Sequence, residues 1–217
     1  YLQLVLGMGS LEAGMWLMPS GLVFVAGSML APVIVRRYAS STILGFGFLL
    51  AAIGYGVLTQ VRPDGELWVL ILGFMVFCAG LAPMGALTTD LVISAVPPER
   101  AGAASGVSET SFEFGAALGV AVLGSIVGAI YRTRMSGAKL NELPPSVLDG
   151  ARETLAVAIE LAASLEGDAR VLLENSAREA FASGMHAAAI VSSALSVVAA
   201  LVCVRFLSQN RPATVTH

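Results

Sequence analysis

The chain has 217 residues, of which 56% are hydrophobic and only 12% charged, against about 25% charged in soluble domains. Its mean hydropathy is +0.81, which excludes a soluble globular domain and describes an integral membrane protein. The net charge of −3 averages a sparsely charged membrane part with one polar loop, and the absence of a basic cluster excludes a nucleic-acid partner.

Residues 1–10 read as the end of a preceding span or a short connection. The chain opens at Tyr1 with neither an initiator Met nor a signal peptide, so a fragment of a longer protein is expected. The first span covers about 11–35, entered at Glu12 and closed by Arg36 and Arg37. It contains Pro19 and Pro32, which predict kinks. The second span covers about 41–61 and ends in the polar turn Arg62-Pro-Asp-Gly-Glu66. The third covers about 67–96, with Trp68 at interface depth and Pro83 between Gly80 and Gly85. Asp90 lies less than two turns from its exit at Pro97-Pro98-Glu99-Arg100, close enough to reach the interface or to pair with Arg100. Both cysteines, Cys78 and Cys203, sit in apolar runs and read as small buried hydrophobes.

The fourth span, about 101–131, is the informative one. It is long enough to cross a bilayer, yet it carries Glu109 and Glu113 and no Lys or Arg before Arg132. An acid near the bilayer centre costs a few kcal/mol on insertion scales, so such residues usually face a cavity or pathway. The spacing of four puts both carboxylates on one helix face, with Cβ atoms about 5–6 Å apart. Gly102, Gly106 and Gly124 border that face, whereas Gly115 and Gly119 lie nearly opposite and favour close helix packing. Against a transport role stands the reading that both acids are hydrogen-bonded structural groups inside a bundle.

Residues 132–179 are too polar to span and too periodic to be disordered. Leu148, Ala151, Leu155, Ile159 and Ala162 follow helical spacing. Pro144-Pro145-Ser146 is a helix start, and Gly167-Asp168 a turn before a second helix from Ala169. A helical hairpin is expected between the last two spans, folded back on itself, resting on one mouth of the bundle and limiting access to it. The last span covers 180–206 and includes His186, whose default reading is a packing or interface residue; residues 207–217 form a polar tail. Counting basic residues on the two sides does not settle the orientation. An enzyme is not expected. The two histidines, His186 and His217, have no nucleophile, base or metal-ligand partners in a recognisable pattern, and no cofactor or metal is implied.

Three stretches together resemble the fourteen-span drug:proton antiporters of the major facilitator superfamily, the QacA-like multidrug exporters. They are Leu11-Glu-Ala-Gly-Met-Trp-Leu-Met-Pro19 with Leu30-Ala-Pro-Val-Ile-Val-Arg-Arg37, then Leu87-Thr-Thr-Asp-Leu-Val-Ile-Ser-Ala-Val-Pro-Pro-Glu-Arg-Ala-Gly-Ala-Ala-Ser-Gly106, and Ser108-Glu-Thr-Ser-Phe-Glu-Phe-Gly-Ala-Ala-Leu-Gly119. The last is the most specific. The resemblance implies an all-α membrane fold with the last five of fourteen transmembrane helices, an extracellular helical hairpin and a missing N-terminal half. It places Arg36, Arg37, Arg100 and the C-terminus in the cytoplasm of a bacterium, with the spans in its inner membrane. It assigns Glu109 and Glu113, and more weakly Asp90, to protons and lipophilic mono- and divalent cations such as quaternary ammonium compounds and dyes. Protons are then the coupling ion. QacA itself has Asp at the position of Glu113. Phe112 and Phe114 are possible aromatic contacts for a flat cation. Their positions, about 200° apart on the wheel, let at most one line the same cavity. A transporter of a neutral or anionic solute, and a non-transport assembly domain, are the alternatives.

Overall fold

The computed structural model describes residues 1–63, 67–137, 140 and 143–207, and among these there is no strand. The helices are α1 (Ser10–Val35), α2 (Ser40–Leu58), α3 (Leu67–Leu81), α4 (Met84–Ser94), α5 (Ala101–Gly137), α6 (Pro145–Ala151), α7 (Leu155–Ala163) and α8 (Gly167–Val202). A 3-10 turn over Pro98–Arg100 leads into α5, and a π-helical turn over Cys203–Leu207 follows α8. Four of them, α1, α2, α5 and α8, are long and apolar enough to cross a membrane; α3 is apolar but shorter.

The third span is not one helix. It divides at Ala82-Pro83 into α3 and α4, because proline has no N–H to donate and its ring collides with the carbonyl of the turn before. Ser28 of α1 donates its hydroxyl to the Ala82 carbonyl at 2.9 Å, giving a neighbouring helix's donor to backbone at the break. By contrast α1 runs as one α-helix through both Pro19 and Pro32.

The centre of the bundle is α2, packed between α3 and α8, with α1 on the far side of α3 and α5 on the far side of α8. Glycines set the α2–α3 approach. A Cβ on Gly80 would stand 2.5 Å from the Gly47 carbonyl oxygen and 2.7 Å from the Ala51 nitrogen, and one on Gly54 would stand 2.5 Å from the Phe77 nitrogen. Between membrane helices packing is a van der Waals matter, and small residues let backbones meet. On the other face of α2, Ser193 of α8 donates to the Ala52 carbonyl at 3.0 Å, and just beyond the end of α2 the His186 ring contacts the Val61 carbonyl through Nε2.

The polar region forms a cap at the end of the bundle, and it differs from a two-helix hairpin in two ways. Its first helical stretch is interrupted at Arg152-Glu153-Thr154, where the Thr154 side chain accepts from the Val157 N–H and starts α7 afresh. Its second helix does not end before the last span: α8 runs unbroken from Gly167 to Val202, with no boundary near residue 180. Likewise α5 continues six residues past Tyr131. The cap therefore has a core contributed partly by the two long helices. Ala151, Leu155, Ala158 and Ala162 are buried with Tyr131 and Met135 of α5 and Leu173, Ala177 and Ala180 of α8, and Val5 joins them from the first residues. Of the three apolar residues near the start of α8, Leu173 is wholly buried while Val171 and Leu172 remain exposed.

Candidate functional site

The turn Pro97–Arg100 ends the α4 segment and launches α5, a 37-residue helix about 55 Å long. No Lys or Arg follows Arg100 until Arg132. The two hydroxyls between the acids are satisfied within the helix: Thr110 donates to the Gly106 carbonyl at 2.8 Å and Ser111 to the Val107 carbonyl at 2.7 Å. The two carboxylates are the only ionisable groups between Arg100 and Tyr131. Glu109 and Glu113 are both exposed, and among the described residues neither forms an ion pair.

Which face they occupy follows from helix geometry. Val127 stands 18 residues after Glu109, and Tyr131 the same distance after Glu113, which is about five turns and about 27 Å in an uninterrupted helix. At Val127 that line is packed against α8, where a Cβ on Gly184 would meet the Val127 carbonyl oxygen at 2.9 Å, and at Tyr131 it enters the cap core. The acids thus continue the line along which α5 is anchored, at a level where α5 is exposed on nearly every side.

Beside the acids runs a shallow groove of about 530 Å³, lined by Ala103, Gly106, Val107, Thr110, Ser111 and Phe114. Phe114 is part of this wall and Phe112 is not; both rings are exposed. Of this stripe the sequence marks Gly106 and Phe114 as neighbours of the acids, but it does not single out Ala103, Val107, Thr110 or Ser111, although small residues recurring at helical spacing carry the signal. Asp90 is placed elsewhere. It is exposed on α4, in a cavity of about 370 Å³ with Val35, Ser40, Leu87, Leu91, Ile93 and Ser94, and no residue of α5 lines that cavity. Among the described residues Asp90 makes no ion pair, with Arg100 or with any other group. Arg36, Arg37 and Arg100 are exposed at one end of the bundle, where α1 ends and α5 begins. No group of three His, Cys, Asp or Glu residues suited to a metal occurs among the described residues.

Residues 1–120 match the Major Facilitator Superfamily model, more than half of the chain. The chain belongs to the major facilitator superfamily. Its superfamily relatives include the multidrug efflux pump LfrA of Mycolicibacterium smegmatis, 32% identical over 202 residues, which is 93% of this chain and 40% of that protein. The tetracenomycin C resistance and export protein of Streptomyces glaucescens is 31% identical over 207 residues, again 93% of this chain and 38% of the relative. The methyl viologen resistance protein SmvA of Salmonella typhimurium is 27% identical over 188 residues, or 83% and 36%. The chain spans about two fifths of the length of the relatives it matches. Superfamily membership and the apolar helices together make it part of a multi-pass membrane protein.

Proposed function

We propose that this chain is the C-terminal part of a proton-coupled exporter of lipophilic cationic drugs, in which Glu109 and Glu113 bind protons and drug in turn. The observation that carries this reading is the open acidic line of α5: two carboxylates one turn apart, exposed, without a cationic partner among the described residues. Acids in an otherwise apolar crossing are costly to insert and mark substrate or ion pathways. The relatives named for multidrug efflux, tetracenomycin C export and methyl viologen resistance support drug export, and the resemblance of Ser108 to Gly119 to the QacA-like antiporters supports the fourteen-span, proton-coupled branch.

The chemistry is competition for one negative charge. A proton neutralises the carboxylates when the site opens to the outside. A lipophilic cation requires them ionised and displaces the proton when the site opens inward. Each ligand shifts the equilibrium only by its differential affinity for the two states, so exclusive occupancy couples drug exit to proton entry. The groove beside the acids offers Phe114 for contact with a flat cation. The facing wall comes from the N-terminal half, since transporters of this kind place their site between two repeats. In this reading Arg36, Arg37, Arg100 and the C-terminal tail face the cytoplasm of a bacterium, and the cap faces outward.

The test is dye efflux from cells expressing the full-length protein with Glu109→Gln, Glu113→Gln or both. The amide keeps the size and hydrogen bonding of the acid and removes its charge. Each single variant is expected to slow export, and the double variant to lose divalent substrates most severely. Wild-type rates with unchanged pH dependence in all three would make both glutamates structural.

A further inference from the structure

A second polar depression lies where α5 and α8 meet below the cap. It has a volume of about 440 Å³ and is lined by Ile130, Thr133 and Arg134 of α5 and by Ser183, His186, Ala187 and Ile190 of α8. Three features fix its depth. On α5 the residues between Glu113 and Arg132 carry no charge, and on α8 no Lys, Arg, Asp or Glu occurs between Glu179 and Arg205, so both helices enter the apolar phase at this level. His186 of the same depression contacts the carbonyl of Val61 at the end of the α2 segment. Trp16 and Trp68, near the starts of α1 and α3 at that end of the bundle, stand edge to face with ring centroids 5.6 Å apart, as aromatic side chains do at headgroup level.

The polar inventory is specific. The Thr133 hydroxyl donates to the Ala129 carbonyl at 2.9 Å and the Ser183 hydroxyl to the Glu179 carbonyl at 3.0 Å, so neither hydrogen is available to a ligand. His186 has Nε2 committed to Val61. Arg132 folds back along α5, its guanidinium lying over Gly128. The donors left are those of Arg134, which is exposed and in no ion pair among the described residues. Glu179 precedes Ser183 by one helical turn on α8, and Arg62 follows Val61 on the α2 side. Below the arginine the floor is apolar: Ile130, Ala187 and Ile190, the last 59% exposed.

We propose that this depression holds a membrane phospholipid, with the headgroup phosphodiester on Arg134 and an acyl chain along Ile130, Ala187 and Ile190. A guanidinium above an apolar channel at interfacial depth matches a lipid in both charge and shape. The fork of N–H donors suits phosphate oxygens, and a free anion has no use for the channel beneath.

The test uses native mass spectrometry of the full-length protein, extracted in mild detergent and titrated with phosphatidylglycerol, with inorganic phosphate as competitor. Wild type is expected to retain one phospholipid through delipidation that Arg134→Gln releases at roughly tenfold higher lipid concentration. Ile190→Trp, which fills the channel and leaves the arginine in place, is expected to release it as well, while millimolar inorganic phosphate leaves the lipid bound. Lipid retention in both variants equal to wild type would overturn the proposal, as would displacement of the lipid by phosphate alone. A photo-crosslinker at position 190 in native membranes provides a second measurement. Attachment to lipid supports the site. Attachment to another segment of the same protein or to a second copy overturns it.

Discussion

Tyr131 of α5 donates its hydroxyl to the carbonyl of Ala151, the last residue of α6, at 2.8 Å across twenty residues of chain. Both residues are buried, so the bond is sheltered from competing water. It ties the cap to the helix that carries Glu109 and Glu113, and Tyr131 stands about five turns from Glu113 along the same line.

Tyr131→Phe removes the donor, keeps the ring and leaves a buried carbonyl short of a partner. The expected cost is about 1–2 kcal/mol, concentrated in the cap. Limited proteolysis of the full-length protein should detect faster cleavage in the α6–α7 region, with little change elsewhere. Equal cleavage rates in wild type and variant would show that the bond does not hold the cap down.

Removing the cap requires cutting where the structure allows it. Because α8 begins at Gly167 and Leu173 and Ala177 are buried in the cap core, the segment to exchange for a short Gly/Ser linker is 138–166, and α8 must be left intact. The exchange uncovers Val5, Tyr131, Met135, Leu173 and Ala177, and a lowered thermal midpoint is expected. If the cap governs access to the transport pathway, dye efflux kinetics change at equal expression. Unchanged kinetics across several dyes would confine the cap to stabilising the ends of α5 and α8.

Gly80 and Gly47 hold α2 and α3 at backbone contact, so Gly80→Leu is expected to destabilise the bundle by about 1–3 kcal/mol or more through overpacking. Gly56→Ala is the matched control: a Cβ there meets nothing within 4 Å, and alanine is the better helix former. Thermal unfolding in detergent should separate the two variants. A Gly80→Leu protein as stable as the control would mean that the α2–α3 approach is adjustable.

Sidedness is tested with single cysteines at Ser40 and Ser146 in a background lacking Cys78 and Cys203. Ser40 begins α2 beside the Arg36–Arg37 end, and Ser146 is exposed on α6 in the cap. An impermeant thiol reagent applied to intact cells should label position 146 and spare position 40. The reverse pattern would invert the orientation and, with it, the assignment of inward and outward states.

Much of the architecture is legible in local sequence because each long helix contains a continuous apolar run bounded by charges or turn residues, and in lipid such a run must form helix to satisfy its own backbone. Glu109 and Glu113 were legible for the same reason: a charge in an apolar run is conspicuous whatever surrounds it. Most of the places where the reading and the fold part company are those where a non-local partner decided. Pro83 was visible, but a proline is tolerated in a membrane helix or breaks it according to its neighbours; α1 stays continuous through Pro19 and Pro32, whereas the third segment divides where Ser28 reaches the Ala82 carbonyl. The stripe Leu148 to Ala162 has one helical period, yet Thr154 restarts it as a separate helix through a local cap on Val157, which a reading of periodicity alone passes over. The join between cap and last span vanished because Leu173, Ala177 and Ala180 find their burial in the same core as Tyr131 and Met135, which keeps α8 helical beyond its apolar run. Composition and periodicity therefore determined which segments are helical and which of them hold charges. Only tertiary packing decided where helices break, which face of α5 is covered and which is left open, because those outcomes depend on contacts between residues tens of positions apart.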